Sequence, residues 1–253
     1  MSALAFAVTG ARPDPSAVAP TLRFGLDIAV APDQQVQSVL LRCQIRIEPA
    51  QRQYSDGEQA RLVEVFGAPH RWSETLKPFL LTHVTLPVAG FTGSTEVALP
   101  AELSYDLEVG AGKYLHALRE GAVPLLFLFS GTVFNRTPEG MQIEQIPWDR
   151  EAQYDLPVST WTAAMDAHYP GTGWLRLQRD TIDALQAYKA RHALPTWDAA
   201  LSHLLDDRDE RTFAAARIPV AGDAVVPAPR QANRTISPPA TNGNGNGSHE
   251  AGS

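Results

Sequence analysis

One cysteine, Cys43, is all that this chain of 253 residues contains. An intrachain disulfide and a four-cysteine zinc or iron–sulfur site built from one chain are therefore excluded. Basic charge is also scarce. With 21 Lys and Arg against 28 Asp and Glu the formal net charge is −7, and the basic stripe by which nucleic-acid binders displace phosphate counterions is missing. The longest charge-free apolar run, Val123 to Phe134, is about half of the roughly 20 residues that a bilayer helix needs. Met1 to Gly10 has no basic n-region and too few apolar residues for a secretory h-region. These absences point to a cytoplasmic protein with neither nucleic acid nor membrane as a partner.

What is present is a scaffold. Val123-Pro-Leu-Leu-Phe-Leu-Phe-Ser-Gly-Thr-Val-Phe134 is dense in strand formers, opens with a proline and stops at Asn135, which predicts a strand buried on both faces at the centre of the core. Period-two alternation predicts further strands: one on Leu4, Phe6 and Val8, one on Leu22 to Val30, and an amphipathic one on Val39 to Ile47. Others are expected at Thr82 to Leu86, Val97 to Leu99 and Leu103 to Val109. Thr137-Pro138-Glu139-Gly140 supplies turn residues for a hairpin with Met141 to Ile146.

Ser55-x-x-Glu58 is a capping box that starts an inserted helix near residues 57–66, closed by Gly67. Past Trp148 the period lengthens. Val158, Trp161 and Met165 share one helical face; Asp180 and Thr196 are placed to cap two more helices, the second carrying Trp197, Leu201 and Leu205. From about Ile218 the chain is Pro, Ala, Gly, Asn and Ser, too polar to offset its conformational entropy. The expected architecture is α+β: a mainly antiparallel sheet in residues 1–150, a C-terminal helical segment over 151–210 packed on it, and a disordered tail over 211–253.

Chemistry is not advertised. Alternation puts Cys43 on the face of Leu41 and Ile45, where desolvation keeps a thiol inert. Gly110-Ala-Gly-Lys113 lacks the earlier glycine of a phosphate loop, with Leu107 in its place, and Tyr114 follows the lysine; it reads as a turn entering a short helix. Thr9-Gly10 lacks the further glycines of a dinucleotide site. The seven histidines show no metal-ligand spacing, and His168 and His192 stand where they would close helices. Asp106 and Glu108 share a strand face that reads as the solvated one. No cofactor, metal or catalytic residue is expected. The five tryptophans at element boundaries suit core and staple roles or a partner-binding patch, since aromatics dominate protein interfaces.

Several phrases, among them Phe6-Ala-Val-Thr-Gly-Ala11, Gln44-Ile-Arg-Ile-Glu-Pro49, Phe66-Gly-Ala-Pro-His-Arg-Trp72, Lys113-Tyr-Leu-His-Ala-Leu118 and Trp174-Leu-Arg-Leu177, resemble an uncharacterised family, a domain of unknown function. Its genes tend to sit beside those of nickel–iron hydrogenases. The resemblance spans roughly residues 4 to 205 and implies an accessory role around hydrogenase assembly. A weaker likeness to the export chaperone SecB rests on the order of the first three strands and on Ser130-Gly-Thr-Val-Phe134; the insertion from Gln51 to Gly121 and the helices after Trp148 depart from that pattern. The expectation is a non-enzymatic, chaperone-like accessory or assembly protein that binds another protein, with hydrogenase subunits as candidate partners. Arg71, Trp72, Tyr114, His116, Trp148 and Trp174 are the candidate binding residues. The alternative is a small-ligand protein or enzyme whose site gathers distant residues such as Arg71, Trp72, Tyr114 and His116.

Overall fold

Where apolar and polar residues alternate, the chain extends, because period two puts one set of side chains on each face of a strand. A computed structural model of the chain describes residues 4–104, 106, 109–137 and 140–216. Its strands are β1 (Ala5–Pro13), β2 (Thr21–Ala29), β3 (Gln35–Ile47), β4 (Phe79–Thr92), β5 (Ser94–Glu102), β6 (Ala122–Thr137), β7 (Gly140–Gln145) and β8 (Glu151–Pro157). Its helices are α1 (Asp56–Phe66), α2 (Trp72–Thr75), α3 (Gly110–Ala117), α4 (Val158–Asp166), α5 (Arg179–Arg191) and α6 (Trp197–Ala216). The fold class is α+β, and all pairings between these strands are antiparallel.

The strands form two sheets rather than the single one expected. One has the order β1-β2-β5 and the other β4-β3-β6-β7, with β8 also paired to β6. Alternation says which way a side chain points but not which sheet its strand joins, and here the chain changes sheet between β2 and β3, β4 and β5, and β5 and β6. The inner faces meet in one core. Leu22, Phe24, Leu26 and Ile28 of β2, Leu41, Cys43, Ile45 and Ile47 of β3, and Val123, Leu125, Phe127 and Phe129 of β6 are all almost fully buried. Phe24 meets Phe127 edge-on at 5.1 Å and Phe6 stacks on Phe129 at 4.2 Å, tying the sheets together. Each such side chain contributes about 1.5–3 kcal/mol of transfer free energy.

β6 is buried on one face only, contrary to the expectation. Leu126 and Leu128 are half-buried and Ser130 is exposed; on that face the polar Arg46 and Gln44 of β3 stand beside Leu126 and Leu128 in the register. Gly131 is obligatory. Its φ is +136°, and a Cβ there would land on the Leu40 carbonyl oxygen of β3.

The helix starts obey local chemistry. The Ser55 hydroxyl accepts from Glu58 N at 3.4 Å while Glu58 Oε2 accepts from Ser55 N at 3.1 Å, and Gly67 at φ +75° closes α1 by donating to Val63 O at 2.8 Å. Thr196 Oγ1 accepts from Ala199 N at 3.1 Å at the start of α6. Asp180 lies inside the first turn of α5 rather than ahead of it.

Residues 151–157 are a sheet strand, β8, not the start of a helical segment. Leu156 faces the core, and its strand is held by β6. The chain divides after Arg179 into two units. In the first, α4 packs against β1, β2 and β8. In the second, α5 has no buried residue and Ala200 of α6 is fully buried. α6 continues to Ala216, past the expected limit of 210, and the remainder of the expected tail, 217–253, lies outside the described residues. The strand expected over Leu103 to Val109 falls partly on residues 105, 107 and 108, also outside them, as do 138 and 139 of the expected turn. Asp106 makes an isolated parallel bridge with Trp174. Among the described residues no helix is long and apolar enough to cross a membrane.

Candidate functional site

Helix α3 has two environments, and two of the candidate residues fall on opposite sides of it. A two-residue step rotates a helical side chain by about 200°. Tyr114 therefore points into the protein and is fully buried, whereas His116 is exposed.

On the Tyr114 side lies an aromatic cluster. The rings of Tyr54, Phe66, Phe79 and Tyr114 lie 5.4–6.4 Å apart where they meet, and Trp72 adds to it at 5.3 Å from Tyr54 and 6.1 Å from Phe66. Its polar tips are satisfied. Tyr54 Oη donates to Pro49 O at 2.8 Å and lies 2.9 Å from Tyr114 Oη, and Trp72 Nε1 donates to Gly67 O at 2.9 Å. Burial pushes both tyrosine hydroxyls above the usual phenol range. Beside the rings Arg52 and Glu58 form a buried ion pair at 2.7 Å, with side chains 7% and 4% exposed. Arg52 also donates to the carbonyls of Glu120 and Ala122, each at 2.7 Å. Burial acts to raise the Glu58 carboxyl, but the backbone N–H groups of Arg119 and Ser55 and then the Arg52 guanidinium outweigh it and hold the group below the usual glutamate range. α3 is further tied to α1 by Arg61 Nε, which donates to Ala117 O at 2.7 Å, and by the ion pair of Lys113 with Glu64.

On the His116 side is a cleft of about 510 Å³ between α3, α4 and residues 171–173. Leu118, Trp161 and Met165 line it with apolar surface; His116, Arg119 and Asp166 bring polar and charged groups to the same hollow. The far wall is shaped by the end of α4. Asp166 Oδ1 accepts from Gly171 N at 3.1 Å, Thr172 Oγ1 donates to Tyr169 O at 3.0 Å, and Gly171 takes φ +62° to make the turn. Next along the chain Trp174 is 55% exposed and its ring lies 5.6 Å from that of Tyr169. His168, expected to close α4, does so with both nitrogens in contact with carbonyls: Nδ1 is 3.3 Å from Ala164 O and Nε2 is 2.9 Å from Ala17 O, which anchors the β1–β2 connection.

The six candidate residues thus part company. Trp72 and Tyr114 do come together, through Tyr54 and Phe66, but inside the core, and buried rings present no surface to a partner. Arg71 is exposed on the turn before α2, His116 lines the cleft, and Trp174 stands beside the cleft's wall. Trp148 is 92% exposed between β7 and β8. Trp161, Met165, Asp166 and Tyr169 were not singled out as site residues; the signal available was Pro170-Gly171-Thr-Gly173, a turn directly after an amphipathic helix. Cys43 is buried and its thiol is pushed up to about 12 by desolvation, so it is no nucleophile at neutral pH. Among the described residues no three His, Cys, Asp or Glu side chains are grouped to hold a metal ion.

Among solved structures the chain is similar to β-glucosidase from Kluyveromyces marxianus at 8% identity, with a TM-score of 0.22 over 61% of this chain and 15% of that one. It is similar to β-glucosidase 3B from Thermotoga neapolitana at 10% identity, with a TM-score of 0.22 over 61% of this chain and 17% of that one. The chain spans less than a fifth of those enzymes, and similarity at this level bears on neither activity nor substrate. Among curated proteins nothing matches. The model of one family of unknown function, DUF6084, matches residues 1–213; the chain belongs to that family.

Proposed function

We propose that this protein is a cytoplasmic, non-enzymatic accessory or assembly factor, chaperone-like in that it holds another polypeptide, and that the cleft beside α3 and α4 is where it does so. The observation that supports this reading is the exposed Tyr169–Trp174 pair beside a cleft to which Arg119 and Asp166 bring charge and whose apolar lining, Leu118, Trp161 and Met165, is almost fully buried. Aromatic residues, Met and Arg are the side chains enriched at interfaces, and binding hot spots cluster in well-packed, desolvated pockets. The gene neighbourhood of the resembling family makes nickel–iron hydrogenase subunits the first partners to try. The full chain is to be mixed with each purified subunit at micromolar concentrations and followed by co-migration and by tryptophan fluorescence. A complex weakened by Arg119→Ala or Trp174→Ala is the expected result; no complex with either subunit at tens of micromolar counts against that partner, and a complex indifferent to both substitutions counts against the cleft.

A second reading has one observation in its favour. The cleft volume of about 510 Å³ falls inside the roughly 300–1,000 Å³ of small-molecule sites, and His116, Arg119 and Asp166 could orient a polar ligand. Native mass spectrometry separates the two readings, since a retained small molecule lost in Arg119→Ala supports the ligand site.

A further inference from the structure

Among the described residues five strands border the two sheets: β1 and β5 in one, and β4, β7 and β8 in the other. An open border is a template for another strand, and a proline blunts it because it cannot donate to the ladder. β1 carries Pro13, β4 Pro87, β5 Pro100 and β8 Pro157. β7 reads Gly-Met-Gln-Ile-Glu-Gln, with no proline and no basic residue.

The hydrogen-bond phase of β7 follows from its register. Ile146 N donates to Gly131 O at 2.9 Å, and Gln145 lies opposite Thr132, Ile143 opposite Phe134 and Met141 opposite Arg136. Bonded and non-bonded pairs alternate along an antiparallel ladder, so residues 142, 144 and 146 face β6 with their backbone groups. The N–H and C=O of Met141, Ile143 and Gln145 point away from the sheet. Among the described residues β7 is paired with β6 alone. Its apolar side chains are uncovered as well: Met141 is 67% and Ile143 60% exposed, both on the outer face of the sheet.

We infer that β7 is the pairing edge of a two-fold dimer, in which the β7 of a second copy adds antiparallel with the axis at Ile143. This register is self-complementary. Ile143 stands against Ile143 of the partner subunit and Met141 against Gln145 of the partner subunit, so all outward backbone groups of β7 pair. On the opposite face Gln142, whose Nε2 donates to Glu144 Oε1 of its own chain at 2.9 Å, stands against Glu144 of the partner subunit. Shifting by two residues one way would set Glu144 against its own copy, and shifting the other way would leave Gln145 unpaired. The second copy thus covers the border strand that, among the described residues, carries no proline.

The test is the mass of the full chain in solution, by light scattering or sedimentation from about 1 to 100 μM. The wild type is expected to dimerise in this range. Ile143→Pro removes an outward N–H and no bond to β6, so it is expected to give a monomer with its circular dichroism kept; the double substitution Met141→Lys with Ile143→Lys does the same by charge repulsion. Ile143→Cys gives a direct reading of the register: opposed bonded residues lie about 5.5 Å apart at Cα, within disulfide reach, so mild oxidation yields a covalent dimer, whereas Met141→Cys, opposite a glutamine, does not. A wild type that stays monomeric at 100 μM overturns the inference, as does a dimer that survives both the proline and the double lysine substitution. A monomer that instead captures extended peptides also overturns it, with the edge then assigned to a foreign strand.

Discussion

Tyr114 and His116 are two residues apart on α3, yet the first is fully buried with its hydroxyl 2.9 Å from Tyr54 Oη and the second lines an open cleft. Around Tyr114 aromatic rings close on one another, and the charges within reach are paired at 4–7% exposure. Around His116 the apolar lining of the cleft, Leu118, Trp161 and Met165, is itself only 3–8% exposed, but the neighbouring aromatics, Tyr169 and Trp174, are 42% and 55% exposed. The same residue types are therefore covered on one side of the helix and partly exposed on the other. Aromatic content alone does not mark a binding surface; what matters is whether a second layer covers it.

Substitutions can break this contrast. The largest effect is expected at the Tyr114 side, where Arg52→Met leaves Glu58 charged and buried and deprives the carbonyls of Glu120 and Ala122 of their donor. Loss of one partner of a buried pair costs about 3–5 kcal/mol, to be read from the urea midpoint. On the other side, Trp174→Ala is expected to leave that midpoint nearly unchanged while weakening partner binding by about 2 kcal/mol, roughly thirtyfold, as for an interfacial hot spot. If Trp174→Ala instead unfolds the protein, the distinction between the two sides fails. Tyr114→Phe keeps the ring and removes the bond to Tyr54, for which about 1 kcal/mol is expected.

The pH dependence sharpens the comparison further. Glu58 is held below the usual glutamate range, so the unfolded chain takes up its proton first as pH falls. The stabilisation it provides is complete above about pH 4.3 and is lost as pH falls through the lower folded value. Thermal melts of wild type and Glu58→Gln are expected to converge with acidification across that window; a constant gap speaks against an ionised Glu58. The smallest effect is expected of His116→Ala, within about 0.5 kcal/mol in stability, as for a surface position.

Much of the scaffold was legible because its signals are local. The alternation of β2 and β3, the Ser55–Glu58 box and the Gly67 stop of α1 each involve residues within a few positions of one another, and each appears where the pattern put it. β8 was missed because Glu151 to Pro157 is half-exposed and its alternation was outweighed by the helical period beyond it; pairing with β6 made it a strand. The site was harder to read. Trp72, Tyr114, Trp148 and Trp174 look alike as aromatic residues at element boundaries, and nothing in the chain order says that the first two would be roofed by Tyr54 and Phe66. The cleft draws on α3 and α4, elements more than forty residues apart, and its Gly171 to Gly173 wall reads in isolation as an ordinary turn.

By itself the amino-acid order determined most of the strands, the start and stop of α1 and the inward face of Cys43, because hydrophobic period and capping act through near neighbours along the chain. Among the described residues the tertiary structure alone decided that there are two sheets, which aromatic rings are covered, and that β7 is paired with β6 alone. Those outcomes depend on which distant surfaces meet, and burial is a property of the meeting surfaces rather than of either segment.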